Sequence, residues 1–324
     1  MELVRGLYQR MRLVNRIYRA LAAVAILGVI GLAARLAYVG RRLESMRRQA
    51  ADVFYQLKAL ELEVARLAVD APQRREHLDR RAGLVAVYDE WLRRIDETSR
   101  GPADERAIRA AVARLGEVPV LASDPFIADV RARVAEWRRT ADFSTTVRGA
   151  AERRVLARIE SVLVESGLPR ELVWVAFQES RFDPRAVGPP TRFGIAKGMW
   201  QIIPATARQY GLRTGPLVGE ARYDPQDQRH DVERSTRAAV RYVADLYLLD
   251  AQGSGLLVMA CYNAGQTRVL RLVRQLPATP RDRNFWRLLE RHRARIPDET
   301  YGYVVGIVAA AAAAAEPAAF GLPR

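Results

Sequence analysis

Residues 20–34, ALAAVAILGVIGLAA, run for fifteen positions without a polar side chain near the start of a 324-residue chain. After Arg35 the apolar character resumes through Gly40, giving about the ~20 residues that a membrane-spanning helix needs. Arg35 lies near one end, where its long stem can reach the interface. Tyr18 and Tyr38 bracket the run at positions suited to the interfacial aromatic belt. A cleaved signal would have a shorter apolar core and an Ala-x-Ala site at its far end. The run is longer, no such pair lies at its far end, and a long basic leader precedes it, so residues 1–40 read as leader and uncleaved transmembrane anchor. Five arginines lie before the run and Arg41, Arg42, Arg47 and Arg48 follow it, so charge alone does not orient the span.

The same arginines account for much of the charge. The chain carries 52 basic and 37 acidic side chains, and residues 1–50 alone hold ten Arg against two Glu. Over half of the +15 excess therefore flanks the apolar run, which argues against nucleic acid as a partner. One cysteine excludes an internal disulfide framework, and three histidines without ligand spacing make a metal centre or metal cofactor unexpected.

Beyond the anchor, Leu43, Met46, Ala50, Val53, Leu57, Leu60, Val64 and Leu67 repeat with 3-4 spacing and stop before Pro72. Two readings of this seam stay open: a parallel coiled coil that forms a homodimer or takes a partner helix over 43–67, or an amphipathic helix packed on its own neighbours. Residues 75–97 and 103–115 read as further helices separated by a Gly101-Pro102 break, with another run over 127–139. Residues 41–145 thus form a helical stalk or spacer without a chemical motif.

From about residue 146 the pattern becomes compact. In PRELVWVAFQES, Leu172, Val175 and Ala176 lie seven, four and three residues before Glu179 and share its helix face. A carboxyl on an apolar face is costly to ionise, which moves it toward a general acid's range. Downstream follow Gly198-Met199-Trp200-Gln201, then Ala260-Cys261-Tyr262-Asn263-Ala264-Gly265, then Glu299-Thr300-Tyr301-Gly302-Tyr303-Val304.

This ordered set resembles the lytic transglycosylases with a soluble-lytic-transglycosylase (SLT) domain, over roughly residues 146–324. The resemblance implies a lysozyme-like helical catalytic domain over 146–324, which with the N-terminal transmembrane helix (1–40) and helical stalk (41–145) read above makes a mainly α protein. It implies Glu179 as the single catalytic acid and then base, with Ser180, Gln201, Tyr262, Asn263 and Tyr303 lining or shaping the glycan site, and no cofactor. Two positions depart from the family pattern. Gly188 stands where the family has a serine, with Thr191 nearby as an alternative hydroxyl, and Cys261 replaces an alanine and reads as a small buried residue. Trp200, beside a glycine-marked turn, reads as core rather than as a sugar platform.

The implied partner is the glycan strand of peptidoglycan, cut between N-acetylmuramic acid and N-acetylglucosamine without water. The chain would then sit in a bacterial inner membrane with its catalytic half toward the periplasm. Ordinary glycosidases use two carboxyl groups, so a hydrolase of lysozyme type remains the alternative if a second carboxylate reaches the cleft. A non-catalytic peptidoglycan-binding scaffold is the third reading.

Overall fold

The computed structural model describes residues 2–66, 72–99 and 101–323 and builds them almost wholly from helices. Glu2–Arg66 (α1) and Pro72–Ser99 (α2) form an N-terminal arm. Ala103–Arg114 (α3), Asp124–Thr140 (α4) and Asp142–Glu152 (α5) lead into Val155–Glu165 (α6) and the short Trp174–Ser180 (α7). Pro204–Gln209 (α8), Val232–Asp245 (α9), Gly255–Ala264 (α10), Gln266–Val273 (α11), Phe285–His292 (α12) and Asp298–Ala315 (α13) follow. Among the described residues, β pairing is confined to the isolated bridges Val187–Lys197 and Lys197–Ile202. The expected mainly α architecture is what the chain adopts.

The apolar run stands alone. Within α1, Leu21, Val24, Leu27, Ile30 and Leu36 are all more than half exposed, and no part of the most apolar stretch is buried. A helix this long and apolar is of membrane-crossing type, because in water such a stripe would have to be covered. Beyond it the helix changes character. Met46, Ala50, Leu57, Leu60 and Val64 are buried, with Leu43 and Val53 partly so. The cover comes from the same chain: α2 packs along α1, the turn Pro119–Leu121 packs against it, and Phe54 meets Tyr88 at 5.3 Å between ring centres. The seam is therefore occupied intramolecularly, which is the second of its two readings; nothing here supports the homodimer. Leu67, and the side chains of leader residues 1–18, lie outside the described residues.

The C-terminal helix organises the rest. Val304–Val308 and the alanines 309–313 are buried, and α13 packs against α3, α4, α7 and α10. Small side chains let several helices approach one axis closely, since interaxial distance follows the residues at the contact. The buried cluster crosses residue 145 without a break: Ile108, Ala111, Val112, Phe126 and Val130 belong to it alongside Leu172, Val175, Leu257 and Ile307. The segment legible only as spacer thus supplies part of the core beneath the site.

A buried polar lattice ties α1 to that core. Glu117 is 1% exposed and accepts from Ser254 Oγ at 2.6 Å, from Phe285 N at 3.0 Å and from Val118 N at 3.0 Å. Lys58 of α1 donates to Tyr247 Oη at 3.1 Å, Asn284 Nδ2 donates to Tyr55 Oη at 3.1 Å, and Asp52 pairs with Arg281. Buried polar groups satisfied in this way fix one register, because any slip would strand them. The anchor helix is consequently a docked strut and not a loose tether.

Candidate active site

The carboxyl of Glu179 lies near the end of α7, one residue before the helix stops. The helix begins as a 3-10 turn over Arg170–Val173 and lasts only two turns as an α-helix. Leu172, Val175 and Ala176 are buried, as their shared face requires. Arg181 and Phe182 then adopt left-handed backbone, with φ of 55° and 62°. Bulky residues rarely accept that region, so the surroundings must hold it. They do: Phe182 is fully buried, and Ser180 Oγ donates to Met199 O at 2.7 Å and accepts from Asp183 N at 3.2 Å. Ser180 thus fastens the end of α7 to the loop that carries Trp200 and Gln201, and its one proton is donated inside the protein.

Glu179 is partly open to a groove, yet its carboxyl is largely withdrawn from water. Desolvation pushes its pKa up to about 7, against the pull of a hydrogen bond from Tyr303. That bond, Tyr303 Oη to Glu179 Oε1, is 2.6 Å long. Burial, then the Glu179 charge, holds the Tyr303 phenol well above its ordinary pKa, so it remains a donor. With Oε1 accepting from Tyr303, the proton of the neutral acid belongs on Oε2. The geometry follows from helix packing. Tyr303 and Gly306 share one face of α13, and a Cβ on Gly306 would come within 2.6 Å of Gln178 Oε1. The missing side chain lets α7 and α13 close up beside the Glu179–Tyr303 pair.

Tyr303→Phe is expected to raise the Glu179 pKa further, since the bond it removes favours the carboxylate. A pH–rate profile should show the alkaline limb displaced upward and the maximal rate reduced by roughly tenfold. An unmoved limb would show that the phenol does not tune the acid.

The other motif residues gather around this pair. Asn263 lines the same groove as Glu179 and Tyr303, its Oδ1 accepting from Thr300 Oγ1 at 2.8 Å. Tyr262 donates from Oη to Trp200 O at 2.7 Å, and burial, then the Glu179 charge, holds its phenol well above the ordinary pKa. Trp200 is 1% exposed with Nε1 donating to Thr236 Oγ1 at 3.0 Å, so it is core, as its glycine-marked setting suggested. Cys261 is buried in α10.

Gln201 sits apart from the groove residues. Its backbone is left-handed (φ 47°), and its Nε2 donates back to Gly198 O at 2.8 Å. Gly198 has φ 78°, and a Cβ there would fall 1.8 Å from Arg229 O, so only glycine can make this turn. Gly188 faces Gln201 directly: a Cβ at 188 would meet Gln201 Oε1 at 2.9 Å. The space of the family serine is thus shared with the glutamine amide. Thr191 does not replace that hydroxyl, because its Oγ1 donates to Gly194 O at 2.7 Å within an exposed turn.

Other groove residues were not singled out from the sequence: Gln178 neighbours Glu179, Asp298, Glu299 and Gly302 lie in the first turns of α13, and Arg133 comes from α4. Glu299 lay inside a quoted motif, whereas Arg133 had no sequence signal at all. Arg229 and Asp227 form a fully buried ion pair at 2.6 Å, and Arg229 Nη1 also donates to Ile195 O at 2.7 Å and Ile202 O at 3.0 Å. That pair clamps both ends of the segment bearing the Gly-Met-Trp-Gln turn.

The model of the transglycosylase SLT domain family matches residues 160–285. Over 142 residues the chain is 36% identical to membrane-bound lytic murein transglycosylase D of Escherichia coli, in both strain K12 and strain O6:H1 CFT073, covering 44% of this chain. It is 30% identical over 129 residues to a putative tributyltin chloride resistance protein of Alteromonas sp. (strain M-1), covering 40% of this chain and 56% of that protein. The matched stretch spans 27% of the length of the transglycosylase D proteins.

Proposed function

We propose that the chain is a membrane-anchored lytic transglycosylase that cleaves the β-1,4 bond between N-acetylmuramic acid and N-acetylglucosamine. The observation that carries this reading is Glu179: desolvated, with a pKa near 7, and with one oxygen held by Tyr303 so that the other is free to give its proton. The acid donates from Oε2 to the leaving glycosidic oxygen. As carboxylate it then takes the proton of the muramoyl C6 hydroxyl, whose oxygen attacks C1 and closes a 1,6-anhydro ring. Glu179 ends protonated as it began, and no water is consumed. The nucleophile is already part of the substrate, so proximity replaces the activation of water.

A hydrolase needs a second carboxyl group working beside the first. Asp298 and Glu299 share the groove, but both are exposed, and Asp298 is paired to Arg293 at 2.6 Å. Neither contributes to the shift of Glu179, as a carboxylate across one scissile bond would. This favours the lyase over the lysozyme-type reading. Asn263 and Tyr262 are assigned to the glycan site, and Ser180 to holding α7 against the Gly198–Gln201 turn beside it. The exposed apolar stretch of α1 supports membrane anchoring, and a peptidoglycan substrate puts the catalytic half on the periplasmic side of an inner membrane.

Digestion of purified sacculi with the full chain in detergent, followed by fragment mass analysis, tests the reading. Anhydro ends, one water lighter than reducing ends, are expected. Reducing ends alone would establish a hydrolase, and an intact sacculus bound by folded protein would establish a scaffold.

A further inference from the structure

The groove carries charges that the cleavage chemistry does not use. Arg133 of α4 stands in its wall, outside the residues that match the SLT domain model. Among the described residues its guanidinium pairs with Glu136 Oε2, at 3.1 Å, one turn along the same helix, and the two side chains are 39% and 53% exposed. An exposed pair of this kind is worth little and is readily exchanged for a better partner. The Arg133 charge also leaves Glu179 untouched: the acid's surroundings are accounted for by desolvation and Tyr303 alone. An arginine within about 4–6 Å would favour the carboxylate and disable the acid. Arg133 therefore lines the groove without shifting the acid, and its planar fork suits a bidentate carboxylate in exchange for Glu136.

Glu299, at the start of α13, lines the same groove and makes no hydrogen bond or ion pair among the described residues. The groove they line is open at Gly302, where an added Cβ would meet nothing within 4 Å. A cation in an exposed, exchangeable pair and an anion without a partner among the described residues, both lining one groove, suit a ligand that carries both charges. A plain glycan has neither, whereas the muramoyl sugar bears a peptide with carboxylates and, at its diamino acid, an ammonium group.

We propose that Arg133 and Glu299 form a subsite for the zwitterionic peptide carried by the muramoyl sugar, Arg133 taking a carboxylate and Glu299 an ammonium. The subsite rests on the glycan-cleaving reading above and adds to it a preference for peptide-bearing strands. Because α4 lies before the matched domain, this preference comes from the segment that the sequence left as spacer.

The test uses the full chain in detergent with Glu179→Gln in place, so that binding is read without turnover. Affinities for soluble peptide-bearing glycan fragments and for the same fragments stripped of peptide are compared by calorimetry. Arg133→Ala is expected to lower the preference for peptide-bearing fragments by about tenfold, the size of one lost charge-assisted hydrogen-bonded contact, and Arg133→Lys by less. Glu299→Gln should lower it only while the peptide amines are free, the effect vanishing once they are acetylated. An unchanged ratio in either variant overturns the subsite, as does an acetylation-independent effect of Glu299→Gln. If the parent chain releases no fragments from sacculi, the cleavage reading fails, while the binding ratio still decides the subsite. Both side chains are partly or fully exposed, so neither substitution threatens folding.

Discussion

Glu179→Gln is expected to lower glycan cleavage by about 10²- to 10⁴-fold while the helical fold stays intact. Glutamine keeps an acceptor for Tyr303 Oη and fills the same space, but it cannot donate and then reclaim a proton. Circular dichroism should be unchanged, and release of fragments from sacculi should fall to background; substantial residual cleavage would remove Glu179 from the acid/base role. The same variant has a stability signature. The native acid has its pKa near 7 and an unfolded glutamate near 4.5, so between those values the folded state holds a proton that the unfolded state has lost. Unfolding free energy therefore falls as pH rises through that window, by about 3 kcal/mol once pH exceeds 7. Glutamine has no such penalty. At pH 8 the variant should melt above the parent, and near pH 4 the two should converge. Equal melting temperatures at both pH values would show that the carboxyl is not desolvated in solution.

How much of this was legible depends on the distance over which each signal acts. The acid was readable because an amphipathic period of 3.6 residues puts Glu179 on a face with Leu172, Val175 and Ala176, which is a local fact. The partnership with Tyr303 was not local. It spans 124 residues and rests on Gly306 allowing two helices to touch, so only the motif likeness pointed to it. The seam from Leu43 to Val64 was legible as a buried stripe, but a stripe does not name its cover, and α2 of the same chain supplies it. Least legible was the contribution of residues 103–140. Phe126 and Val130 have an ordinary helical pattern, and nothing in that pattern reveals α13 as the surface they meet. Arg133 shares this difficulty: an arginine on an outward helix position looks solvated until the fold brings a groove to it.

The second large effect concerns Arg229, which the sequence offered as one of fifty arginines. Replacing it with methionine preserves bulk but leaves Asp227 charged at zero exposure and strips donors from Ile195 O and Ile202 O. Breaking one partner of such a pair costs about 3–5 kcal/mol, because the survivor is stranded in a medium that cannot solvate it. For a domain of this size that corresponds to a drop in thermal midpoint of roughly 10 °C, read by circular dichroism on the full chain. Desolvation would raise the Asp227 pKa, yet the hydrogen bonds from Arg229 outweigh it and hold the carboxyl below its usual range. A depressed carboxyl stabilises the fold above its unfolded pKa and ceases to do so as pH falls through the folded value. The parent should therefore lose part of its margin in acid, and Arg229→Met should lack that acid-dependent component. Removing both partners, Arg229→Met with Asp227→Leu, is expected to be less damaging than Arg229→Met alone, since no charge is left buried. If the double variant is as unstable as the sum of the single ones, the pair acts through shape and not through charge. Activity supplies the last discriminating measurement. Arg229 clamps both ends of the turn that carries Gln201, and Ser180 joins that turn to α7, so loosening it should slow cleavage even well below the melting transition. A destabilised Arg229→Met that cleaves at the parental rate would show that the turn keeps its place without the clamp.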